Sequence, residues 1–185
     1  MLLGNHEVMM LWALRDRSRL SYWQSIGGEL HDLAELEHDR PLQEWLKQRP
    51  LLYRAGDTLF QHSDTDFYAR LLDAADPDPI ACVNVEGWRL LTHAGEDVLW
   101  DLLSPGHVFR NGRARLEAWL TLTGARRLVH GHKPHSRKAP DVYQDGLAVN
   151  FDGGLSRFGP GARYRPKAPL GASVAPLQSG QWSRS

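Results

Sequence analysis

Three times in this chain a short apolar run ends on a polar turn that carries histidine: LLGNHE at 2–7, LFQHSD at 59–64 and RRLVHGHKPH at 126–135. A short apolar run bounded by turn residues reads as a buried strand, and segments with helical periodicity fill the intervals. Chains of that order fold into layered α/β or α+β structures. Ligands in such folds collect where strands stop. The chain is therefore expected to be α/β, with its chemistry at the strand ends.

Residues 1–3 are expected to form the stub of a strand, and Val8, Leu11 and Trp12 to lie on one side of the helix that follows. Segment 18–40 reads as a polar excursion. Pro41 opens a short helix, PLQEWLKQ, with Leu42, Trp45 and Leu46 on one side. LLYRAGDTLFQHS is a hairpin turning at Gly56 and Asp57. A helix is expected over 66–75, and mostly helix over 80–103 with a break near Gly95. RARLEAWLTL is a helix with Leu116, Trp119 and Leu120 on one face, closed by Gly124. VYQDGLAVNFD is a second hairpin, turning at Asp145 and Gly146. Residues 159–185 shift to Gly, Pro, Ser, Ala and Arg, a disordered or extended tail after a domain spanning 1–158.

Composition narrows the function classes. A length of 185 residues suits one domain, with 42% hydrophobic residues and seven Trp to build a core. The Trp residues up to Trp119 are read as core and packing residues. The 22 basic and 22 acidic residues balance, so charge indicates no nucleic-acid or membrane partner. The single cysteine, Cys82, excludes an internal disulfide and a Cys-based zinc site. No run approaches the roughly 18 apolar residues of a membrane span. GNHE interrupts the first apolar run, unlike a signal peptide, so the expectation is a cytoplasmic protein.

Asn5, His62 and His132 stand at the three strand ends, and an amide oxygen with two imidazoles suits Mn, Fe or Zn. Carboxylates to bridge two cations are missing from the set. The plainer reading makes Asn5 a helix cap and the histidines structural.

In order, GNHE, LFQHSD, VHGHKPH and NFDGG resemble the motifs of the calcineurin-like metallophosphoesterase superfamily, phosphoprotein phosphatase type. The bacterial Shewanella-like phosphatases and the diadenosine tetraphosphatases are its most similar branches. The resemblance implies a layered sandwich of mixed sheets flanked by helices, and two divalent metal ions. It makes Asn5, His62 and His132 ligands of the second metal and His6 the general acid. Arg110, with Arg113 as second choice, would hold the substrate phosphate. His135, one residue beyond the family's Gly-His-x-His spacing, is a lesser candidate for the first metal, and Glu7 is read as structural. The family's Asp-x-His and GDxxDRG motifs stand before GNHE and are not found here. The expectation is thus an N-terminally truncated chain lacking the fold's first strands, with impaired activity. The implied reaction is hydrolysis of a phosphoprotein or other phosphomonoester, or alternatively of a dinucleoside polyphosphate. The competing reading is a non-catalytic remnant or interaction module with at most one weak metal site.

Overall fold

The computed structural model describes residues 1–73, 76–93, 96–137 and 139–153. Four helices come first: α1 (Asn5–Arg15), α2 (Leu20–Ser25), α3 (Leu30–His38) and α4 (Arg40–Lys47). The hairpin β1 (Leu52–Ala55) and β2 (Thr58–Gln61) follows, then α5 (Pro79–His93), α6 (Glu96–Leu103) and α7 (Arg113–Leu122). Three strands close the described chain: β3 (Arg127–His130), β4 (Asp141–Tyr143) and β5 (Ala148–Asn150).

The strands form one mixed sheet in the order β1-β2-β3-β5-β4. β2, β3 and β5 run parallel, while β1 and β4 pair antiparallel at the two edges. The three parallel strands therefore all deliver their carboxyl ends to one side of the molecule. Leu52, Leu59, Leu128 and Ala148 point to the packed face, where Val83, Leu91, Leu116, Trp119 and Tyr68 complete the core. The other face presents Tyr53, Phe60, Val129, Val149 and Val142 side by side across all five strands. Tyr53 and Val142 are 56% and 55% exposed, and no second sheet covers this face among the described residues.

The β1 edge is closed by a side chain that imitates a strand. Asn84 Oδ1 accepts from the Leu51 and Leu52 N–H groups at 2.8 and 2.9 Å, and its amide donates to the Leu52 carbonyl at 3.0 Å. That satisfies backbone groups that an open edge would leave for another chain.

Both expected hairpins form. Gly56 and Gly146 take positive φ at their turns, and Gly124 does so at the end of α7. Several expectations are corrected. Residues 1–3 form no strand, and the Leu3 N–H instead makes one bond, to the Pro50 carbonyl at 2.9 Å. Segment 18–40 is mostly helical, because α3 buries Leu33 and Leu36 while its remaining surface stays polar. The helix expected over 66–75 is a 3-10 turn, Phe67–Leu71, that buries only Tyr68. Trp45 and Trp100 are not core residues, being 41% and 44% exposed, and Leu42 is equally exposed on α4, where only Leu46 is buried. The break near Gly95 and the tail boundary at 158 lie outside the described residues. No helix among the described residues is long and apolar enough to cross a membrane.

Candidate functional site

The loop after β2 is fixed from beneath. Gln61 is buried; its amide donates to the Ser63 and Thr65 carbonyls at 2.6 and 2.7 Å, and its oxygen accepts from Trp119 Nε1–H at 2.8 Å. His62, the next residue after the strand, is thereby held at its end. The loop after β3 is fixed by Asn150. Its amide donates to the Lys133 carbonyl at 2.8 Å, and its oxygen accepts the Asp152 N–H at 2.8 Å. The Gly131 N–H joins the two loops through the His62 carbonyl, 3.0 Å away. His132 follows with φ of 66°, a left-handed conformation that is uncommon for a residue with a side chain.

Asn5 comes from the opposite direction, at the first turn of α1. Gly4 caps that helix, and Glu7 turns back to accept the Gly4 N–H at 2.9 Å, a structural role. Gly4 also permits a close approach. A Cβ there would stand 2.7 Å from His62 Cε1 and 2.8 Å from His62 Nδ1.

Three donor atoms meet as a result. His62 Nε2 lies 2.9 Å from Asn5 Oδ1 and 3.1 Å from His132 Nδ1, and the last two are 3.2 Å apart. His132 Nε2–H donates to the Ser104 carbonyl at 3.0 Å, which leaves Nδ1 of the neutral ring as a bare lone pair. Both rings are neutral at pH 7. Burial, reinforced by the charges of His132 and His6, holds His62 down to about 3. Burial and then Lys133 hold His132 down to about 4. Neutral imidazoles are the form that binds cations. Ligands of one cation at the usual distances, set at right or tetrahedral angles, stand about 2.8–3.6 Å apart. The three observed separations fall inside that range.

The remaining expected residues are distributed differently. His6 is exposed on the first turn of α1, near enough for its charge to act on both imidazoles. Arg110 is not joined to the three donors by any hydrogen bond. Its guanidinium pairs with buried Asp141 and lies 4.5 Å from the centre of the Tyr143 ring. Arg113 pairs with Glu117 at 2.8 Å and Asp145 at 2.5 Å. His135 Nε2–H donates to the Asn150 carbonyl at 3.2 Å, away from the donor set. His130 Nε2 lies 2.6 Å from the Tyr143 oxygen and its Nδ1 3.1 Å from the Gly131 carbonyl, while Tyr143 O–H donates to Asp64 at 2.9 Å. The other Asp64 oxygen accepts the Phe109 N–H at 3.0 Å, so this carboxylate is engaged in holding loops together. Among the described residues, no group of three or more His, Cys, Asp or Glu side chains is placed to hold a metal ion. The Asn5 set is a cluster of three neutral polar side chains that contains no carboxylate. Sequence reasoning missed the Ser104 carbonyl, which carries no residue signature.

No family model matches the chain, and no curated protein matches it. Solved structures do. The cold-active protein-tyrosine phosphatase of a psychrophile Shewanella sp. shares 17% identity at a TM-score of 0.53, over 82% of this chain and 48% of that one. A 1.1 Å structure of a cold-active protein tyrosine phosphatase gives 18% identity and a TM-score of 0.55, over 82% and 47%. A mutant of a cold-active protein tyrosine phosphatase gives 17% and 0.54. The fold is shared with these phosphatase structures. The chain spans about half the length of each.

Proposed function

We propose that this chain carries part of a metal-dependent phosphate-ester hydrolase of the calcineurin-like type, with Asn5, His62 and His132 holding one divalent cation (Mn, Fe or Zn). The observation that carries the reading is the convergence of Asn5 Oδ1, His62 Nε2 and His132 Nδ1 within 2.9–3.2 Å. Asn5 Oδ1 and His132 Nδ1 are acceptors in neutral groups, and the neutral His62 ring offers Nε2 as a third when its proton stands on Nδ1. A common cation would satisfy all three. The fold shared with phosphatase structures supports the same reading.

A cation held there would supply Lewis-acid polarisation of a phosphoryl oxygen. Lys133, beside His132, adds positive charge where a phosphate would approach. His6, exposed on the first turn of α1, is free to pass a proton to a departing alkoxide. Gly4 and the Ser104 carbonyl orient the two imidazoles. The structural neighbours are protein tyrosine phosphatases, so an aryl phosphomonoester is the first substrate to test, and a dinucleoside polyphosphate the second. In this reading Arg110 holds the phosphate only if its pairing with Asp141 opens.

The absence of a carboxylate among the three donors favours a second reading, a non-catalytic module with one weak metal site. Hydrolysis of p-nitrophenyl phosphate with added Mn²⁺ separates the two. Slow, metal-dependent turnover that falls at least about tenfold in His6→Ala and disappears in His132→Ala supports the hydrolase. Metal binding without turnover supports the second reading.

A further inference from the structure

Away from the strand ends, an open cavity of about 580 Å³ lies between α1, α4 and α5. That is within the range of roughly 300–1,000 Å³ typical of small-molecule sites. Val8, Leu11, Trp12, Leu14, Trp88 and Leu91 give it an apolar lining. Apart from the basic side chains, the donors of that lining are already engaged, Gln43 Nε2 on the Leu36 and Glu37 carbonyls at 2.7 and 3.3 Å. Trp12 Nε1–H donates to the Leu91 carbonyl at 2.7 Å, and Trp88 Nε1–H to the Arg49 carbonyl at 2.9 Å. Thr92 O–H is taken by the Trp88 carbonyl at 2.9 Å. A ligand body resting there finds no hydrogen-bonding donor to meet, so its own polar groups would be stranded and an apolar body is selected.

The rim has the opposite character. Arg15, Lys47 and Arg89 line the cavity, and no carboxylate does. Lys47 and Arg89 each face a glutamate of their own helix, Glu44 at 2.9 Å and Glu86 at 2.6 Å, in exposed pairs of the kind that contribute little. Arg15 makes no ion pair among the described residues; its guanidinium donates to the Thr92 carbonyl at 2.5 Å. An apolar floor beside three basic groups, of which Arg15 alone has no carboxylate partner among the described residues, fits an apolar chain ending in an anion.

We propose that this groove binds a straight-chain fatty carboxylate, its alkyl chain on the Trp12, Leu91 and Trp88 surface and its carboxylate on Arg15. The site stands apart from the Asn5, His62 and His132 cluster and does not depend on the hydrolase reading. Isothermal titration of the full chain with decanoate, decanol and decyltrimethylammonium, each below its micelle concentration, tests it. Decanoate should bind saturably at one site, with the cation and the alcohol at least about tenfold weaker. Arg15→Gln, an exposed change, should weaken decanoate by about tenfold and leave decanol unchanged. Leu11→Glu should abolish decanoate binding, with far-UV circular dichroism checking that the helices remain; if they do not, Arg15→Gln decides. No saturable decanoate binding would overturn the proposal. So would equal affinity for the three amphiphiles, or no effect of Arg15→Gln. Preference for an acidic amphipathic peptide without decanoate binding would also overturn it, by assigning the groove to a protein.

Discussion

Gly4→Ala probes the cluster without touching a donor. The backbone at Gly4 has φ of −113° and ψ of 177°, which alanine adopts freely, so the substitution adds no backbone strain. It also reduces the freedom of the unfolded chain, a gain of about 0.4–1 kcal/mol. The added methyl meets the His62 ring 2.7 Å away, and ordinary contact begins at 3.4 Å, so the ring must retreat by about 0.7 Å. It is also 2.8 Å from Glu7 Oε2, which can swing aside only by giving up its bond to the Gly4 N–H. Overpacking of this kind costs about 1–3 kcal/mol. The net expectation is a loss of up to about 2.6 kcal/mol, centred on about 1.3, read from urea unfolding of the metal-free protein. A metal site tolerates displacements of about 0.2 Å, so Zn²⁺ affinity should fall by about ten- to a hundredfold. Gly153→Ala, whose methyl meets nothing within 4 Å, is the control. Unchanged stability and Zn²⁺ affinity in Gly4→Ala would refute the close approach and the donor geometry built on it.

Burial leaves His62 and His132 with folded-state pKa values of about 3 and 4, below the ordinary 6.5. Below pH 6.5 the unfolded chain takes up protons that the folded chain refuses, so stability falls as pH drops toward those values. For His62 the loss at pH 5 is about 2 kcal/mol, with a smaller share from the partly exposed His132; urea unfolding at pH 5 and 7.5 should show this difference shrink in His62→Gln. Tyr143→Phe strips a partner from both His130 and Asp64 and should cost about 1–3 kcal/mol in urea unfolding, with Zn²⁺ affinity unchanged because His130 is not a donor. Asn84→Ala removes three bonds from the β1 edge and should cost about 1–3 kcal/mol, with faster hydrogen exchange at the Leu51 and Leu52 amides.

The ends of β2 and β3 were legible because each couples a local apolar run to a polar stop, whereas the run before Asn5 forms no strand and leads straight into α1. Asn5, His62 and His132 lie 57 and 127 positions apart from the first to the second and third, yet the register of three parallel strands and the start of α1 bring them together. The hairpins were legible from Gly56 and from Asp145 and Gly146, where the backbone takes positive φ. The helices over 18–40 were not, because α2 buries no residue and α3 only Leu33 and Leu36, too few for a clear period. Trp45 misled because its ring packs under the Arg49 guanidinium, 4.2 Å away, and not into the core. The fate of Arg110 was illegible for another reason. Its partner Asp141 is 31 residues away, and nothing in the intervening sequence announces the pairing. Ser104 acts through its carbonyl, which every residue type possesses.

Whether the proposed cation rests on Asn5, His62 and His132 is decided by a titration of Zn²⁺ followed by ¹H–¹⁵N NMR of the imidazole nitrogens. One equivalent should bind at pH 7, with large shifts at His62 Nε2 and His132 Nδ1. His132 Nε2 should keep its proton on the Ser104 carbonyl, and the His62 proton should stand on Nδ1 in the bound state. Unperturbed nitrogens at His62 and His132 while Zn²⁺ binds elsewhere, or no binding at all, would contradict the proposed site.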